Sequence, residues 1–484
     1  MDLLVQNFLV AQSTGQGHLL SATLLPESPQ DDPNRLRRLT SSSTVHDIES
    51  DLRSSLLSTR SGIHLNKAEG NAWIDVYVSY FRAATEVVAL SERHGNSDHT
   101  SVYDAWKEMA NTLIRGYSSG HFQAWTIPCL YVAGRYLRIF AIKADRHARS
   151  GKPVTYGSGM SGDITSSISK NEKLEDAARV INRIFQLCIS DRASIENSRK
   201  WGLYYATNLL FKTYFKLNSI SLSKNILRAL SVSVDTPPES AFPRSQISTF
   251  HYYNGIIAFL DEDYPTAETH LTQSLNLCHK LATHNKELIL TYLIPCHLLT
   301  THTLPSATLL APFPRLQKLF QPLAECIKRG DLSGFDSALA QGEEEFVKRR
   351  IYLTLERGRD IALRNLFRKV FLLGGFIDGG GGEDTEQAAK PRRTRIPIHE
   401  FETAIALSMD SHNHRLNKNG NNNNSKLSNG TTTKLSRAKI DRDEVECLLA
   451  NMIYKFQNLM KGYIAQTAGM VVLSKGAAFP GTGV

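Results

Sequence analysis

Residues 441–473 read DRDEVECLLANMIYKFQNLMKGYIAQTAGMVVL. Asp441 and Glu444 stand three apart ahead of an apolar run, the DxxE pattern of a capped helix start. Val445, Leu448, Leu449, Met452, Ile453 and Phe456 then recur at helical spacing and trace one face. Beyond them, Tyr463-Ile464-Ala465 and Met470–Leu473 read as two short strands around the turn Thr467-Ala468-Gly469. Upstream, Arg395–Ile398 is short and β-like. His399–Met409 reads as a short helix with Phe401, Ile405 and Leu407 among its apolar positions, and Arg359–Leu373 is also helical. Helix, strand, helix, helix and β-hairpin is the order of a winged helix, here spanning 359–484. A glycine run in 374–382 and an Asn-rich run in 411–430 interrupt it. Such segments cannot offset their ordering entropy by burial, so flexible insertions are expected at 374–390 and 411–438.

Outward from this module the chain is helical. Gly255 lies twelve residues before Ala267; Tyr264 precedes Ala267 by three, and Leu271 and Ser274 follow it by four and seven. Asp261-Glu262-Asp263 makes the turn. Small residues on paired helices allow close approach, which is the logic of a tetratricopeptide hairpin. One hairpin cannot bury its own face, so stacked neighbours are implied, with the helix pairs of 172–230 as candidates. Trp73, Val76, Tyr77, Tyr80, Phe81, Ala84 and Val88 share a helical face, as do Leu316, Leu319, Phe320, Leu323 and Ile327. The fold expected is mainly α: right-handed, TPR-like helical repeats followed by a C-terminal winged helix. The boundaries drawn are a flexible Ser/Thr/Pro/Gly-rich leader at 1–44, N-terminal repeats at 45–240, and a C-terminal domain at 241–484 with repeats at 241–358.

Of the 484 residues, 41% are hydrophobic and 21% charged, which excludes wholesale disorder. Six scattered cysteines without a CxxC pair argue for a reducing compartment rather than a disulfide framework. The N-terminus lacks a basic segment before its short apolar stretch, and no run approaches 18 apolar residues, so neither a signal peptide nor a membrane span is expected.

Several stretches resemble one family. Tyr252-Tyr253-Asn254-Gly255 through Asp263-Tyr264-Pro265-Thr266-Ala267-Glu268 looks like the repeat that precedes a PCI domain, the module shared by proteasome-lid, COP-nine signalosome and initiation-factor subunits. Leu290–Pro295 resembles its ILxYLIP element, and Gly330-Asp331-Leu332 to Phe335 its GDLxxFD turn. Asp443–Ile453 resembles the DEVECxLANLI helix, Gly462-Tyr463-Ile464 and Val472–Lys475 the strands that follow, and Phe479-Pro480 the closing pair. The combination is similar to the signalosome subunit twelve-like branch, which includes the PCI subunit of the TREX-two mRNA-export complex. The resemblance covers Trp201 to Pro480. It implies a non-catalytic scaffold in the nucleus and cytoplasm. The implied partners are a larger scaffold protein, a small acidic peptide subunit, other PCI subunits, and RNA or DNA on the winged helix. A signalosome-associated role in cullin deneddylation is the alternative.

Charge placement sharpens this. The formal net charge is +9. Residues 346–375 carry +6, residues 376–386 carry −4 and residues 387–484 carry +7, which leaves the first 345 residues neutral. A basic cluster on packed elements suits nucleic-acid phosphates through counterion release, although charge runs are commonly just solvated or dock acidic protein. Candidate phosphate contacts are Arg392, Arg393, Arg395, Lys434, Arg437, Lys439, Arg442, Lys455, Lys461 and Lys475. Lys348, Arg349, Arg350, Arg364, Arg368 and Lys369 form a basic approach. Asp441, Asp443 and Glu444 at the start of the third helix oppose reading of base edges, so sequence-independent binding is expected.

Enzyme motifs are weak. Gly157-Ser158-Gly159-Met160-Ser161-Gly162 fits GxGxxG, but no apolar strand precedes it. His412-Asn413-His414 lacks downstream metal ligands. Cys278-His279 and Cys296-His297 lack zinc spacing, and Cys278 and Cys447 read as buried thiols. No enzyme activity, cofactor or metal is expected.

Overall fold

A computed structural model describes residues 2–28, 32–41, 44–57, 65–92, 98–150, 171–233, 235–375, 392–419, 441–454 and 459–481. The chain divides into two compact units: Met1–Ile257 with Asn276–Cys278, and Ala258–Leu275 with His279–Val484. The division falls inside a helix, later than the 240/241 boundary drawn from the sequence.

The first unit contains α1 (Asp2–Thr14), α2 (Gly17–Thr23), α3 (Arg35–Ser41), α4 (Val45–Leu56), α5 (Lys67–Glu92), α6 (His99–Ser118), α7 (Pro128–Ser150), α8 (Glu172–Ile189), α9 (Leu203–Lys216), α10 (Ile220–Val232) and most of α11 (Arg244–Leu260). From α5 to α10 each helix packs on its predecessor. Trp73, Val76, Tyr77, Tyr80, Phe81 and Ala84 are buried, as their spacing requires. Two of the large aromatics in this core have their polar ends met. The Trp106 indole donates to the Ala133 carbonyl at 2.9 Å, and the Tyr103 hydroxyl donates to Asp176 at 2.8 Å.

The leader is corrected by the structure. Its described residues are largely helical, and Phe8, Ala11, Leu20 and Leu24 are fully buried. Phe8 meets Trp73 and Tyr77 edge-on at 5.6 and 5.8 Å, and Thr23 bonds the Tyr77 hydroxyl at 2.8 Å. The abundant Ser, Thr and Gly read as linker composition. What binds the segment is a few well-spaced apolar side chains that find an aromatic surface on α5.

The second unit contains α12 (Tyr264–Leu277) up to Leu275, then α13 (Thr283–Thr300), α14 (Ala307–Leu310), α15 (Pro314–Arg329), α16 (Leu332–Gln341), α17 (Glu343–Lys348), α18 (Tyr352–Glu356) and α19 (Gly358–Leu373). The winged helix follows as β1 (Arg395–Pro397), α20 (Ile398–Asn419), α21 (Arg442–Tyr454), β2 (Gly462–Ala465) and β3 (Met470–Leu473). Ala267, Leu271 and Ser274 on α12 are fully buried, as the repeat spacing predicts. The strands pair antiparallel in the order β1-β3-β2. Ile396, Val471 and Leu473 turn inward, and Phe367 packs edge-on to Phe401 at 5.0 Å.

Gly330 closes α15 in the left-handed region at φ 67, and the Asp331 side chain caps α16 by accepting from the Gly334 N–H at 2.8 Å. Ser408 of α20 donates to the Gly330 carbonyl and accepts from the Leu332 N–H, both at 2.9 Å. The Gly-Asp-Leu turn is thus where the repeats are fastened to the winged helix.

Other expectations change. The second winged-helix helix runs to Asn419 rather than ending at Met409, so it enters the expected insertion. Leu407, read as apolar face, is 67% exposed, and Cys447, read as buried, is exposed. Residues 376–391 and 420–440, and the GxGxxG segment, lie outside the described residues. No described helix is long and apolar enough to cross a membrane.

Candidate nucleic-acid interface

The wing sheet is the element that gathers basic residues. Directly opposed residues of antiparallel strands point to one face. Arg395 on β1 opposes Val472 on β3, which opposes Tyr463 on β2. This row faces away from the core: Arg395 is exposed, Val472 half-buried and Tyr463 55% exposed. The Ser474 N–H donates to the Lys461 carbonyl at 2.9 Å, which extends the β2–β3 register by one pair. Lys461 therefore lies two residues from Tyr463 on the same strand phase, and it is exposed. Lys475 follows β3 and is exposed as well.

Other candidates are engaged. Arg393 pairs with Glu400 at 3.0 Å, and its Nε donates to the Arg395 carbonyl at 3.1 Å. Arg392, just before β1, is half-buried. Arg442 donates to Glu446 at 3.1 Å and lies over the wing turn, where its guanidinium closes on Gly469. Glu446 also accepts from Gln466 at 3.3 Å, so α21 and the turn are held by one carboxylate. Asp441, Asp443 and Glu444 are exposed at the start of α21. Lys434, Arg437, Lys439 and Lys455 lie outside the described residues.

The basic approach divides. Lys348 and Arg350 are exposed at the end of α17, and Arg349 is half-buried beside Phe320 and Glu345. Lys369 is exposed, with its ammonium on the Arg329 carbonyl at 2.8 Å, and Arg368 is half-buried. Arg364, expected in the basic approach, is no surface residue and forms no part of it. It is buried at 5% exposure, donates from Nε to the Leu459 carbonyl at 3.1 Å, and bonds the Pro480 carbonyl. Burial pushes its pKa down, with Arg368 adding to the effect. It ties the C-terminal segment, including buried Phe479, to α19. Arg357 and Arg359, which also feed the local charge excess, pair with Glu262 at 2.8 Å and Asp336 at 3.1 Å.

Sequence reading missed Tyr463 as a surface group. The signal was present: in β3 the alternation buries Val471 and Leu473, so the opposed row through Val472 must carry Tyr463 outward. In the first unit, a cleft of about 790 Å³ is lined by Trp125, Tyr131, Trp201 and Phe242. Two of its charged residues, Asp191 and Arg199, pair with each other at 2.9 Å.

Two fungal relatives match the chain over its full length and theirs: the protein CSN12 homolog of Neurospora crassa at 52% identity and that of Gibberella zeae at 49%. PCI domain-containing protein 2 of Danio rerio is 30% identical over 80% of both chains. No family model matches. With these relatives, the helical repeats and the C-terminal winged helix in hand, the chain belongs to the CSN12-like family of PCI-domain proteins.

Proposed function

We propose that this PCI-type scaffold subunit is a non-catalytic adaptor that binds RNA or DNA without sequence preference through its basic winged helix, in transcription-coupled mRNA export. The observation that carries the reading is the confinement of the whole +9 excess to residues 346–484, with Arg395, Lys461 and Lys475 exposed around one sheet. Phosphate contact needs no more than such a surface, and the acidic start of α21 disfavours base reading in a major groove. Protein partners would be a larger scaffold protein, a small acidic peptide subunit and other PCI subunits, in the nucleus and cytoplasm. Exposed apolar residues in the second unit, Leu353, Leu373, Leu407 and Tyr454, supply surface for such contacts.

The second reading, a signalosome-associated role in cullin deneddylation through protein contacts alone, is favoured by the name CSN12 homolog that the fungal relatives carry. Tagged pull-down with mass spectrometry separates the two: export and transcription factors are expected, whereas signalosome subunits and cullins would overturn the first reading. Changing Arg392, Arg393 and Arg395 together to Glu is expected to weaken RNA binding, and unchanged affinity would remove that patch from the interface.

A further inference from the structure

We infer that the outer face of the wing sheet is a stacking platform for single-stranded nucleic acid, with Tyr463 as the ring on which a base lies. The inference rests on the nucleic-acid reading above and narrows it to one strand state and one residue.

A tyrosine on a small sheet ordinarily packs inward or against a cross-strand partner. Tyr463 does not pack inward: it is 55% exposed on edge strand β2, and its directly opposed neighbour Val472 is small and half-buried. The ring therefore stands beside a low floor. Arg395 opposes Val472 from the other edge, two strand spacings or roughly 10 Å from Tyr463. Lys461 lies two residues along β2, about 7 Å away. One aromatic face with one cation across the sheet and another along the strand matches a nucleic-acid strand whose bases are turned to the protein and whose phosphates run past the rim. A duplex hides its base faces and offers this ring nothing to stack on. Gly462, next to Tyr463, keeps the edge close to its neighbour: a Cβ there would come within 2.4 Å of the Val472 carbonyl oxygen.

The test uses the purified full chain and three labelled probes: a poly-uridine RNA, the same length of single-stranded DNA, and a DNA duplex. Affinities are read by fluorescence anisotropy for wild type, Tyr463→Ala, Tyr463→Phe and Arg395→Glu. Stacking on one base predicts that Tyr463→Ala weakens both single strands by about 5- to 150-fold and leaves the duplex unchanged. Tyr463→Phe retains wild-type affinity, because the ring and not the hydroxyl does the stacking. Arg395→Glu weakens all three probes. If Tyr463→Ala binds single strands as wild type while Arg395→Glu does not, the platform is wrong and the basic surface stands. If wild type binds no probe, both readings fall. Tyr463 is on the surface, so its replacement leaves the fold intact, which circular dichroism checks.

Discussion

At the scale of single residues, charge does two different jobs in this chain. Arg364 and Arg395 are both arginines of the basic C-terminal region, yet one is buried on two carbonyl oxygens and the other faces solvent. Arg364→Ala leaves the Leu459 and Pro480 carbonyls without a partner, at about 1–3 kcal/mol each. A fall in melting temperature is expected for that variant and none for Arg395→Glu. Asp191 gives a pH signature. Burial alone would raise its pKa, but Arg199, through guanidinium and backbone N–H, and the Ser198 hydroxyl together hold it below 3.8. A carboxyl lowered on folding stabilises above its unfolded value and loses that contribution as pH falls through the folded one. All four tryptophans lie in the first unit, so their fluorescence follows its unfolding. The urea midpoint should hold from pH 7 to about 5 and drop below about 4, and Asp191→Asn should flatten that drop.

At the scale of elements, the turns carry the geometry that the helices exploit. Ser408 satisfies one donor and one acceptor of the Gly330–Leu332 turn. Ser408→Ala should therefore destabilise the second unit by about 1–3 kcal/mol, measured by thermal unfolding. Gly469 ends the wing turn at φ 60 with the Arg442 guanidinium close by. Gly469→Ala is expected to lower stability by about 1 kcal/mol and to shift Arg442 away from Glu446. The helices and strands of the winged helix and the buried face of α12 were legible because each rests on periodicity within one segment. What escaped depends on a partner elsewhere in the chain. The leader needed α5 to bury Phe8, and Arg364 needed carbonyls about a hundred positions downstream. Cys447 sits one step off the apolar face of α21, and a single step decided between buried and exposed.

At the scale of the whole molecule, a neutral first 345 residues joined to a region of net +9 is the distribution expected of a scaffold with one phosphate-facing end. Part of that excess is spoken for, since Arg364 is buried and Arg357 and Arg359 pair with Glu262 and Asp336 of the neutral part, while Arg395, Lys461 and Lys475 stand exposed around the wing sheet. On the proposed function, these exposed basic residues bind nucleic acid by its phosphates. The direct measurement is the affinity of the full chain for single-stranded RNA between about 50 and 200 mM salt, for wild type and for the combined variant Arg395→Glu, Lys461→Glu and Lys475→Glu. Wild-type affinity should fall linearly on a log–log plot, and the variant should bind at least about tenfold more weakly with a slope shallower by about 2. Equal affinities and parallel slopes for the two proteins would contradict the account.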